Sequence, residues 1–205
     1  MPAREKKPEE LPLVLIGASI GGPGTLESVL RSFSRDFPGA ILIAQHMPEG
    51  KTAELASRLS RQTKTSVVEG EHGLRVKPSH VYLAPGRHNM EVYSSNGRTY
   101  LSVQLAPPAQ VFVPSIDALF RSGARVTGPR TIAVVLTGIG NDGTEGLREV
   151  HQMGGVTLAE SEDSSVVFGM PKHAIDSGAV DTVLPKERLG KVIMGTLLSW
   201  AAGEG

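Results

Sequence analysis

Residues 13–22 read LVLIGASIGG, four aliphatic side chains in a row that give way to small residues and glycine. A short run with no polar member is what a strand buried on both faces of a parallel sheet requires. Leu26, Val29, Leu30 and Phe33 then recur at helical spacing, so the stretch is a strand, a tight turn and a helix. Residues 40–44 repeat the strand pattern. Residues 48–62 repeat the helix, with Leu55 and Leu59 one turn apart on its inner side. Two such units in succession predict a parallel sheet with right-handed crossovers.

Working outward, residues 65–105 break into short β-rich pieces at 66–69, 80–84, 90–94 and 99–105. Asn96-Gly97 between the last two is a hairpin signal. A helix opened by Pro114-Ser115 and marked by Ile116, Leu119, Phe120 and Ala124 precedes a buried strand at 131–137. A helix over 147–153 stopped by Gly154-Gly155, a strand at 156–159 and a helix from about Ser164 to Asp176 follow. A strand at 180–184 and a last helix carrying Leu189, Ile193, Leu197 and Trp200 complete the order. The predicted fold is one doubly wound α/β domain over residues 11–200: a mostly parallel sheet flanked by helices, with an antiparallel hairpin excursion. Residues 1–10 (MPAREKKPEE) read as a flexible charged tail and residues 201–205 as a C-terminal tail.

Composition narrows the function. Lys and Arg number 21 against 21 Asp and Glu in 205 residues, and there are five Phe, three Tyr and one Trp. Neither a basic surplus nor stacking platforms are present, which argues against a nucleic-acid partner. The absence of cysteine excludes disulfides, a thiol nucleophile and thiolate metal sites. No apolar run approaches the ~20 residues that span a bilayer, so a cytoplasmic protein without membrane insertion is expected.

Gly17-Ala18-Ser19-Ile20-Gly21 is a G-x-S-x-G pattern between a strand and a helix, the setting of a nucleophile elbow. A structural turn or a phosphate-binding loop would use similar glycines, so Ser19 needs partners. The second strand ends in Gln45-His46, which places His46 on the same rim as a base. The other five histidines do not follow a buried strand so directly and read as ordinary polar residues. Asp142, after the strand at 131–137, supplies a carboxylate there; its other reading is the N-cap of the helix that follows. Ser, His and Asp from three strand ends form a triad in an order unlike that of familiar α/β-hydrolases.

Six blocks, residues 17–22 (GASIGG), 45–48 (QHMP), 82–86 (YLAPG), 114–121 (PSIDALFR), 136–143 (LTGIGNDG) and 164–171 (SSVVFGMP), resemble the methylesterase domain of CheB chemotaxis proteins over about residues 11–200. The resemblance implies hydrolysis of glutamyl methyl esters on the cytoplasmic helices of methyl-accepting chemoreceptors, often with deamidation of receptor glutamines. No cofactor or metal is implied. Carried over, Ser19, His46 and Asp142 are the triad, and backbone N–H groups at Ile20 and Ile139 meet the oxyanion. The chain departs from the family where Met often replaces Ile139, and where basic residues often stand in place of Phe112 and Val113. Family members usually carry an N-terminal receiver domain, which the residues before Leu11 cannot form; constitutive activity or a separate regulatory chain is expected. Two other readings are a catalytically silent module docking on receptor or adaptor helices and, more remotely, a nucleotide-binding dehydrogenase-like domain. The dehydrogenase spacing G-x-G-x-x-G is not met, and Gln45-His46 stands where an acidic ribose ligand belongs.

Overall fold

A computed structural model describes residues 11–203. In chain order its elements are β1 (Leu13–Ala18), α1 (Gly22–Leu30), β2 (Ala40–Gln45), α2 (Thr52–Gln62), β3 (Ser66–Glu69), β4 (His80–Leu83), β5 (His88–Ser95), β6 (Arg98–Leu105), α3 (Ile116–Thr127), β7 (Thr131–Val135), α4 (Thr144–Gln152), β8 (Val156–Glu160), α5 (Met170–Asp176), β9 (Thr182–Leu184) and α6 (Lys186–Ala202). Seven strands form one sheet in the order β3-β4-β2-β1-β7-β8-β9, each pair parallel. β5 and β6 form a separate antiparallel hairpin, turning at Asn96 and Gly97, both with positive φ as a two-residue turn demands.

The apolar runs serve two cores at once. Val14, Ile16, Ile41, Ile43, Ile132 and Val134 join the cluster beneath α1, α2 and α6. Their neighbours Leu13, Leu15, Leu42, Ala133 and Val135 face the opposite cluster, covered by α3, α4, α5 and the hairpin. This is the period of two hidden inside an uninterrupted hydrophobic stretch. Each fully buried Leu or Ile contributes roughly 1.5–3 kcal/mol, which is why the central strands need no polar face. Among the described residues no helix is long and apolar enough to cross a membrane.

Three expectations are corrected. The helix expected from about Ser164 begins only at Met170, because residues 164–169 bond elsewhere: Gly138 donates its N–H to Val167 O (3.0 Å) and Val167 donates to Thr137 Oγ1 (2.9 Å). A loop with tertiary partners for its backbone gains nothing by closing its own helical turns. The segment at 48–62 is helical only from Thr52. The last helix runs through Ala202, past the expected boundary at 200. The tail at 1–10 and the last two residues lie outside the described residues.

Candidate active site

β1 has β2 on one side and β7 on the other, so the chain winds away in both directions from this pair. In open parallel sheets, ligands bind in the crevice that such a reversal opens at the carboxyl ends of the strands. Ser19 follows β1, His46 follows β2 and Asp142 lies in the turn between β7 and α4. Backbone bonds lash the three ends together: Ser19 N–H donates to Thr137 O and His46 N–H to Ala18 O, both at 2.9 Å.

Asp142 is buried and accepts three N–H donors. His46 Nε2 reaches its Oδ2 at 2.9 Å, Ile116 N–H donates to the same oxygen at 2.8 Å, and Asp117 N–H donates to Oδ1 at 3.0 Å. The capping role anticipated for Asp142 is thus real but addressed to another helix. It closes the N-terminus of α3, while α4 has Gly143 at its N-cap and finds its side-chain partner in Asp117, whose Oδ1 accepts from Gly146 N–H at 2.7 Å. A carboxylate can only accept from these donors, so Nε2 of His46 carries the proton and Nδ1 keeps its lone pair. Among the described residues the Ser19 hydroxyl has no hydrogen bond to His46; in ligand-free sites such contacts are often long and tighten on substrate.

The Ser19 side is set mostly by backbone. A β-carbon on Gly138 would lie 2.6 Å from Ser19 Cβ, so only glycine lets this strand end approach the serine. Ile139 follows this glycine in the chain. Among the described residues neither Ile20 nor Ile139 donates its backbone N–H to another group, and both side chains are exposed. The exposed Val166 adds a third apolar residue, since a β-carbon on Gly21 would meet its Cβ at 2.5 Å. From His46 a cleft of about 610 Å³ runs between Met47-Pro48 and the segment from Leu105 to Val113. Among the described residues no three His, Asp or Glu side chains converge to hold a metal ion.

Sequence reasoning left three supporting residues without a role. Gln45, fully buried, donates through Nε2 to Ser19 O (2.8 Å) and His46 O (3.1 Å), joining the two strand ends from beneath. Thr137 donates its hydroxyl to Ile20 O at 2.8 Å, binding the elbow to the next loop. Glu160, fully buried, accepts from Thr137 N–H (2.8 Å) and the Ser164 hydroxyl (3.0 Å). Burial raises its pKa, and the Thr137 N–H, the Ser164 hydroxyl and the Lys186 ammonium offset this in part. A polar residue ending or following a buried, mostly apolar strand is the signal all three share. His80, His88 and His173 bond nearby carbonyls, His72 accepts from Val103 N–H and His151 faces Asp181, in keeping with ordinary roles.

Fold and site together define a doubly wound α/β protein with Ser, His and Asp gathered at its topological switch point. The family model described as CheB methylesterase matches residues 14–193. The chain is 43% identical over 185 residues to a protein-glutamate methylesterase/protein-glutamine glutaminase of Geobacter sulfurreducens, covering 90% of this chain and 50% of that protein. It is 44% identical over 193 residues to the protein-glutamate methylesterase FrzG of Myxococcus xanthus, covering 94% and 57%. The crystal structure of the Thermotoga maritima CheB methylesterase catalytic domain superposes with a TM-score of 0.89 at 36% identity, over 92% of this chain and all of that one. The chain belongs to the CheB methylesterase family. It spans about half the length of the curated relatives it matches. These matches favour the esterase over the dehydrogenase-like and silent-module readings.

Proposed function

We propose that this chain is a serine methylesterase that removes methyl groups from glutamate side chains of methyl-accepting chemoreceptors, and deamidates receptor glutamines by the same route. The observation that carries the reading is the His46–Asp142 hydrogen bond at 2.9 Å on the rim where Ser19 turns out of β1.

Ser19 Oγ attacks the ester carbonyl while His46 Nδ1 takes its proton, and the imidazolium that forms is held by Asp142. Charge developing on the carbonyl oxygen meets the backbone N–H groups of Ile20 and Ile139. Collapse breaks the C–O bond, and His46 returns the proton to the departing methoxide, giving methanol. Water then attacks the acyl-Ser19, His46 takes its proton, and breakdown frees the glutamate carboxyl and the serine. Glutamine follows the same course with ammonia as first product. The partner is a chemoreceptor cytoplasmic helix, which places the reaction on the cytoplasmic side. The exposed Ile20, Ile139 and Val166 suit a segment with small or apolar neighbours around the modified residue.

The test is methanol release from methylated chemoreceptor membranes, comparing the parent chain with Ser19→Ala. Release by the parent alone supports the reading. Equal release by both removes Ser19 from the chemistry, and release by neither counts against esterase activity on those receptors.

A further inference from the structure

The segment joining β6 to α3 passes across the face of the candidate base. The Phe112 ring lies 5.3 Å from the His46 imidazole, centroid to centroid, with the planes 12° apart. The same ring fills the space over Gly140: a β-carbon there would come within 2.7 Å of Phe112 Cζ, and Gly140 adopts φ +100°, where glycine alone is at ease. Phe112 is therefore wedged between the imidazole and the loop that presents Ile139.

Its placement is built from the hairpin. Asn89 of β5 and Gln110 exchange two amide hydrogen bonds, at 2.8 and 2.9 Å. Gln110 Nε2 also donates to Phe112 O at 2.6 Å, and Ser115 N–H donates to Asn89 Oδ1 at 2.8 Å. One asparagine thus anchors both ends of the segment that carries the ring.

We propose that Phe112 is a positioning residue for His46. Its stacked ring fixes the imidazole plane, so that Nε2 stays on Asp142 and Nδ1 stays on the side of Ser19, with the Asn89–Gln110 pair as its anchor. A half-buried imidazole held by one hydrogen bond can swing about its side-chain torsion; a parallel ring 5.3 Å away removes that freedom. The inference rests on the esterase reading of the site, and its test has one readout that needs no turnover.

Steady-state hydrolysis of p-nitrophenyl acetate by the full chain is the first readout. Phe112→Leu lowers kcat about tenfold, equivalent to ~1.4 kcal/mol, with KM unchanged. Gln110→Met gives a smaller loss that does not add to that of Phe112→Leu. An unchanged kcat in Phe112→Leu overturns the proposal. So does a raised KM at constant kcat, which would make Phe112 a substrate wall.

The second readout is the 15N spectrum of the His46 ring. The parent shows one Nε2–H tautomer, and Phe112→Leu shows a mixture of tautomers. If the parent cleaves neither this ester nor methylated receptors, the esterase reading fails alone, and the spectrum still decides: mixing confined to Phe112→Leu supports positioning, and identical spectra overturn it.

Discussion

The N-termini of α1 and α3 both abut the candidate site and are finished in opposite ways. At α3 the first three N–H groups are taken by side chains: those of Ile116 and Asp117 by Asp142, and that of Ala118 by Ser115 Oγ at 3.1 Å. At α1 the cap is Gly21, no side chain caps the helix, and its first turn carries no acid. One helix end is filled by the carboxylate that bonds His46; the other, where Gly22 N–H goes to Ser19 O at 2.9 Å and Pro23 has no N–H, receives no side chain. A helix N-terminus carries a partial positive charge equivalent to roughly half a proton. At α3 that charge favours the Asp142 carboxylate, whereas at α1 no acidic side chain offsets it. Under the proposed function, the contrast means that the His46–Asp142 half of the site is assembled before substrate arrives, while the Ser19 half waits for it.

The largest expected effect lies at the open end. Ser19→Ala should lower kcat by about 10⁶, as for triad serines elsewhere, with the unfolding transition unmoved. Residual turnover near the parent's would mean that the open end serves something other than this serine.

Next is the filled end. Asp142→Asn turns an amide N–H toward donors that had a carboxylate, so one backbone N–H of α3 loses its acceptor. A fall in kcat of about 10⁴ is expected, the size seen when a serine protease loses its triad carboxylate. It should come with a stability loss of about 1–3 kcal/mol, read by denaturant titration. Loss of rate at unchanged stability would break the claim that one carboxylate serves both base and helix.

A smaller effect should follow from making the two ends alike. Gly24 lies in the first turn of α1, and a β-carbon there meets nothing within 4 Å. Gly24→Asp should stabilise α1 by about 0.3–1 kcal/mol through the dipole, beyond the gain of a Gly24→Ala control. It should slow turnover several-fold by placing negative charge where the oxyanion forms. Equal rates for Asp and Ala would show that the open end does not act on the reaction electrostatically.

The subtlest test concerns Glu160, which supports the open side through Thr137 N–H. Its pKa is raised by burial, so its contribution to stability is fully present below the ordinary carboxylate range and is lost as pH rises through the folded-state value. Glu160→Gln keeps an acceptor for Thr137 and has no charge to bury. Its thermal midpoint should match the parent's near about pH 4 and exceed it near about pH 8. A gap that narrows with rising pH would mean that the ionised carboxylate is the form the fold prefers.

Much of this was readable from the chain, and the parts that were not have a common cause. The apolar runs at 13–16 and 40–44 specify strands because only a two-sided burial satisfies four consecutive aliphatics, and Asn96-Gly97 specifies its turn by backbone preference alone. Ser19, His46 and Asp142 could be placed on one rim because each follows a strand of that kind. Residues 164–169 read as helix because helical spacing is a local property; the hydrogen bonds of Val167 and Gly169 go to Thr137 and Gly138, distant in sequence. Asp142 read as a cap for the helix beside it, yet it closes α3, whose start lies 26 residues back at Ile116.

Strand and turn order, and with them the rim that Ser19, His46 and Asp142 share, were thus determined by the sequence itself, since periodicity and turn chemistry act between near neighbours. Which helix end is filled, which glutamine ties Ser19 to His46, and which aromatic ring lies over the imidazole were decided only by tertiary structure. Each depends on donors and surfaces brought together by the crossovers of the sheet, and no local pattern records who will be opposite whom.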